Sequence, residues 1–95
     1  MRKKLKIDIH AHLKARMLQR GISIAEIELT LAKGCRALDA KEGTAGKTLV
    51  FPYEKEWEGK HYNKKEVTVY FKYTRKELII LTVKARYGND FKVMR

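Results

Sequence analysis

The sequence predicts an α+β fold in which an N-terminal helical hairpin packs on a small, mainly antiparallel β-sheet. Apolar positions recur at helical spacing on both sides of Gly21. Ser23, followed three residues later by Glu26, has the form of a capping box. The stretches Glu66–Tyr73 and Leu78–Tyr87 alternate at period two around the short turn Thr74-Arg75-Lys76-Glu77. A length of 95 residues suits one domain over 1–95, with a single core and little surplus for a second.

Leu5 and Ile7 read as a short entering strand, and Asp8 is placed to cap a helix starting near Ile9. That helix runs to Arg20, where Gly21 supplies a left-handed stop. Leu13 and Met17 fall on one flank of it and Ala11, Ala15 and Leu18 on the other, so both flanks suit packing. The second helix follows Ser23 with Ile24, Ile27 and Leu31 as its stripe, Leu29 and Ala32 beside them, and Lys33-Gly34 as its close. Lys47 to Tyr53 is a β-rich run in which Pro52 marks an edge or a strand end. Residues 54–65 are polar and read as a long exposed connection, with Lys64 and Lys65 serving solubility. In the closing hairpin Val67, Val69, Phe71 and Tyr73 form a core face, met by Ile79, Leu81, Val83 and Ala85.

The net charge of +11 is unevenly spread. Residues 1–21 hold seven Lys/Arg against Asp8 alone, a balance of +6. Residues 22–58 hold five against seven acids, a balance of −2, and residues 59–95 hold ten against three, a balance of +7. Two basic ends around a slightly acidic middle fit a positive surface assembled from both termini, and phosphate backbones are the commonest target of such a surface. Cys35 is alone, which leaves no internal disulfide or cysteine metal site and fits a reducing cytoplasm. No membrane span or signal peptide is expected from the apolar runs.

His12, Arg16 and Arg20 stand four residues apart and form one stripe of the first helix, with Lys14 close by. Crowded cations call for an anionic partner, although a solvated helix face has the same composition. The outer face of the closing hairpin shows Thr68, Tyr70 and Lys72 beside Thr82, Lys84 and Arg86, with Arg75 in the turn. Tyrosine among cations suits stacked bases and gripped phosphates, and an ordinary exposed face of a Lys-rich protein looks much the same. His10-Ala11-His12 has the form of the His-x-His metal motif of amidohydrolase-type barrels, but such barrels need about 250 residues. No metal or other cofactor is therefore expected.

The string His12, Ala15-Arg16-Met17, Arg20-Gly21-Ile22-Ser23, with Ile80-Leu81-Thr82-Val83 near the end, carries a family resemblance. It resembles a small prokaryotic family with the pattern His-x-x-x-Arg-Met-x-x-Arg-Gly-Ile-Ser, grouped with the RelE/ParE-like toxins. The resemblance runs from His12 to Arg86, although residues 35–65 match nothing in particular. It implies a RelE-like fold whose concave sheet face and neighbouring helix bind RNA and, in many members, cleave it. His12, Arg16, Arg20 and Thr82 carry over by motif, and the strand reading adds Lys84 and Arg86.

The resulting expectation is a toxin-like endoribonuclease of a toxin–antitoxin system, cutting single-stranded RNA or mRNA without metal. Its catalytic residues are His12, Arg16, Lys84 and Arg86, and its RNA-binding residues are Lys14, Arg20, Tyr70, Lys72, Arg75 and Thr82. Its partners are RNA, free or on the ribosome, and a small acidic antitoxin-like protein, with no membrane. Neither constellation includes a clear carboxylate base, so His12 is left to move the protons. The alternatives are a non-catalytic RNA- or ribosome-binding module and a basic interaction domain for an acidic protein.

Overall fold

A computed structural model describes residues 11–75, 77–89 and 91. The expected strand at Leu5 and Ile7, the Asp8 cap and His10 lie outside these residues. Two helices, α1 (Ala11–Arg20) and α2 (Ile24–Lys33), precede strands β1 (Cys35–Arg36), β2 (Ala45–Trp57), β3 (Lys60–Tyr73) and β4 (Leu78–Gly88). The strands form one antiparallel sheet in the order β1-β2-β3-β4. Both helices cover one face of it, α1 over β4 and α2 over β2 and β3. The fold is thus α+β, as the sequence predicts.

The helical turn forms by local chemistry. Gly21 takes a φ of 68°, and the amides of Gly21 and Ile22 donate back to Leu18 and Met17, closing α1 with a Schellman motif. Ile22 and Met17, the paired apolar positions of that motif, are both buried. Ser23 Oγ accepts from the Glu26 amide at 3.1 Å while Glu26 Oε1 accepts from the Ser23 amide at 2.9 Å, so the capping box is complete. Leu13, Met17, Ile22 and Ile27 meet Val67, Val69, Phe71, Leu78, Ile80 and Val83 in the core. The stripe of α2 is rotated from the expected one: Ile27, Thr30 and Leu31 face the sheet, whereas Ile24 is 46% exposed. Thr30 can be buried there because its hydroxyl donates to Glu26 O at 2.8 Å.

Two corrections concern the strands. Residues 54–65 are not a connection but the far end of the β2–β3 hairpin. Tyr53 and Glu54 together oppose Asn63 in a bulge, with Glu54 at φ 52°. Trp57 and Lys60 then pair across Glu58-Gly59, whose φ values of 52° and 83° are those of a type I′ turn. Pro52 accordingly lies inside β2, opposite Lys64. β1 pairs only with Lys47 and Thr48, so Pro52 stands on an edge where its missing N–H removes no ladder bond.

The second correction is the phase of β4. Tyr70 pairs with Thr82 but Phe71 pairs with Ile80, so Leu81 is an inserted residue. The bulge shifts the alternation, and Leu78 and Ile80 are buried in place of the expected Ile79 and Leu81. Val83 and Ala85 keep the expected side, and Tyr73 at the strand end is 69% exposed.

Candidate nucleic-acid interface

Alternation sends Thr68 and Tyr70 of β3, and Thr82, Lys84 and Arg86 of β4, to the sheet face opposite the helices. Loop 37–44 returns from β1 across this face, tied by Ala37 N–H to Gly46 O at 2.9 Å and turned at Lys41–Thr44. Gly46 permits the close approach: a Cβ there would lie 3.0 Å from both Ala37 Cβ and the Tyr70 ring. Between loop and sheet is a cleft of about 460 Å³, lined by Arg36, Asp39, Glu66, Tyr70, Lys84 and Arg86 with the hydroxyls of Thr48 and Thr68.

The cleft holds two carboxylates among its cations. Tyr70 Oη donates to the Asp39 carboxylate at 2.9 and 3.0 Å, and Lys84 Nζ donates to Asp39 Oδ2 at 3.3 Å. The Tyr70 hydroxyl first, and the Lys84 ammonium after it, hold the Asp39 carboxyl below its ordinary value. Lys84 is raised in turn, chiefly by Tyr70 and then by Asp39, and its Nζ lies 5.4 Å from the Tyr70 ring centroid. Two residues further along β4, Arg86 Nε donates to Glu66 Oε1 at 3.0 Å. Glu66 is sunk in the floor with its side chain 16% exposed, whereas Arg86 is 68% exposed and lies over the Phe91 ring.

The structure therefore gathers Tyr70, Thr82, Lys84 and Arg86, with Lys72 continuing the face along β3 and Arg75 exposed in the turn beyond. The row on α1 is not part of this gathering. Leu13 and Met17 bind α1 to the helix side of β4 through the core that includes Val83, whereas Lys84 points to the other side. α1 packs on the last strand, but the sheet lies between Lys84 and the helix bearing His12, Lys14, Arg16 and Arg20, so the expected catalytic set His12, Arg16, Lys84 and Arg86 is divided between its two faces. His12 and Lys14 are exposed; Arg16 and Arg20 are partly so.

The string around Gly21 anchors the helices to the sheet. Tyr87 Oη donates to Arg20 O at 2.6 Å, and Lys65 Nζ donates to Gly21 O and to both Glu26 carboxylate oxygens at 2.9 and 3.0 Å. Lys65, expected on a solvated loop, is only 2% exposed. The rings of Tyr53 and Tyr87 each lie 5.6 Å from its ammonium.

Sequence reading missed Asp39, Glu66, Arg36 and Thr48. Glu66 had a signal, because it pairs with Arg86 across the hairpin. Asp39 had none, since it arrives on an aperiodic loop. Among the described residues no cluster of three or more His, Cys, Asp or Glu side chains could hold a metal ion. No described helix is long and apolar enough to cross a membrane.

A family profile described as a domain of unknown function, DUF4258, matches residues 9–84, and the chain belongs to that family. No curated protein and no solved structure matches it.

Proposed function

We propose that this member of the DUF4258 family is a metal-independent endoribonuclease that takes single-stranded RNA into the cleft under loop 37–44, as the toxin of a toxin–antitoxin pair. One observation carries the reading: Glu66 and Asp39 sit among Arg36, Lys84 and Arg86 in a single cleft. A surface built only to hold phosphate gains nothing from a carboxylate set into its floor, as Glu66 is with its side chain 16% exposed, whereas cutting a phosphodiester needs a proton acceptor beside the cations. Further support comes from the net charge of +11 and the resemblance to RelE/ParE-like toxins.

In the proposed reaction the ribose 2′-oxygen bonds to phosphorus while the bond to the 5′-oxygen breaks, leaving a 2′,3′-cyclic phosphate and a 5′-hydroxyl. Glu66 accepts the 2′ proton, a role this reading moves from His12 to a carboxylate on the cation side of the sheet. Arg86 orients Glu66 through Nε and opens the rest of its exposed side chain towards the phosphate. Lys84, kept protonated chiefly by Tyr70, returns a proton to the departing 5′-oxygen, a far stronger base than an amine. Tyr70 offers a ring for a base.

The test is incubation of the purified protein with single-stranded RNA in excess EDTA, followed by analysis of the product ends. Cyclic phosphate ends that vanish in Glu66→Gln support the reading. Binding without cleavage by the wild-type chain overturns it in favour of a binding module of the same fold.

A further inference from the structure

We infer that Asp39 fills, from within the chain, an anion site made by Tyr70 and Lys84, and that the occupant this site is built for is a second phosphate of a polynucleotide strand. The inference rests on the cleft being an RNA site and adds a substrate requirement to it: at least two consecutive phosphates.

The donors belong to the sheet and the acceptor does not. Tyr70 is on β3, a strand paired on both sides, and Lys84 is fixed by the pairing of β4 with β3. Asp39 comes from loop 37–44, outside every strand. Its two oxygens take the Tyr70 hydroxyl at 2.9 and 3.0 Å and one of them takes the Lys84 ammonium at 3.3 Å. Two oxygens on one centre, sharing a negative charge, are also what a phosphodiester offers through its non-bridging oxygens.

The Lys84 and Asp39 side chains are 52% and 63% exposed, so their pair is open to water and exchanges readily for another anion. Asp39 is held below its ordinary carboxyl value, so at neutral pH an anion occupies the site. Lys84 and Arg86 lie two residues apart on one face of β4, a separation of about 7 Å along the strand. The Asp39 position is therefore one step along β4 from the Glu66–Arg86 pair, in line with a strand laid along the cleft. A mononucleotide reaches one of these positions; an oligonucleotide reaches both and displaces the Asp39 carboxylate, so that loop 37–44 acts as a self-ligand that substrate must exchange.

An oligodeoxynucleotide is the probe, because without 2′-hydroxyls it cannot be cut. At low salt, Asp39→Ala is expected to bind it about tenfold tighter than the wild-type chain, since a competing negative charge is gone. The gain should disappear when Tyr70→Phe and Lys84→Ala are added, and a thermal melt reports that each variant folds. Unchanged or weaker binding by folded Asp39→Ala overturns the inference and makes Asp39 a group that merely orients Lys84. A gain that survives in the triple variant overturns it as well, by showing a diffuse charge effect. The readout is binding alone, so failure of the endoribonuclease reading and failure of this inference are separate results.

Discussion

The ring of Trp57 covers Gly21 so closely that a Cβ on the glycine would fall 2.6 Å from Cζ3 of the indole. Trp57 stands at the tip of the long hairpin and stacks on Tyr87, with ring centroids 4.9 Å apart and planes at 11°. The hairpin tip therefore clamps the turn between α1 and α2. Gly21 has a positive φ besides, so Gly21→Ala meets both a left-handed backbone and an occupied space. The expected loss is about 3 kcal/mol, read as a lower urea midpoint at unchanged slope.

Lys65 and Glu26 form the polar half of the same clamp. Glu26 serves twice, as partner of the Ser23 cap and as counter-charge to a lysine that is 2% exposed. Lys65→Ala strands a half-buried carboxylate and is expected to cost about 3 kcal/mol. Lys64→Ala, its neighbour, is expected to stay within about 0.5 kcal/mol. Equal losses at the two positions in chemical denaturation would contradict the clamp.

Tyr87 gives this region a pH dependence. Burial first, then the nearby Tyr53 and the carboxylates of Glu26 and Glu58, push its hydroxyl well above the ordinary 10.0. The folded state therefore holds this proton more tightly than the unfolded chain does. The stability it contributes is fully present below pH 10 and is lost as pH rises beyond it towards the folded value. Unfolding followed from pH 8 to 11 should show a steeper alkaline fall in the wild-type chain than in Tyr87→Phe. Parallel profiles would contradict the assignment.

Local chemistry was legible in the sequence, and phase was not. Gly21, Ser23 and Glu26 act within one turn of chain, so their spacing alone identified the left-handed stop and the capping box. The β3–β4 pairing also followed from alternation. Its phase beyond Tyr70 did not, because Leu78-Ile79-Ile80-Leu81 is apolar throughout and fits either parity, so the Leu81 bulge leaves no mark. Residues 54–65 were hidden for the opposite reason. Trp57 and Tyr62 bury only part of their surfaces amid charge, so no core stripe announces a strand. The cations of the cleft were visible, but Asp39 reaches them only through a loop that carries no periodicity.

Salt dependence distinguishes a site from a diffuse positive surface. Neutralising Lys84 and Arg86 removes two cations of the cleft, so the salt slope of RNA binding should flatten by about 0.7 for each phosphate that is no longer neutralised. Lys55 and Lys60 at the exposed hairpin tip are the matched control and should change the slope less. Equal slopes for the two double variants would place binding outside the cleft.

The most direct measurement compares RNA cleavage by the wild-type chain, Glu66→Gln and His12→Ala in EDTA. With proton transfer at Glu66, Glu66→Gln should lose about a hundredfold or more in rate while still binding RNA. His12→Ala, on the helix side of the sheet, should keep its rate within about threefold. The reverse pattern, with His12→Ala inactive and Glu66→Gln cutting normally, would contradict the account and move the chemistry to the row on α1.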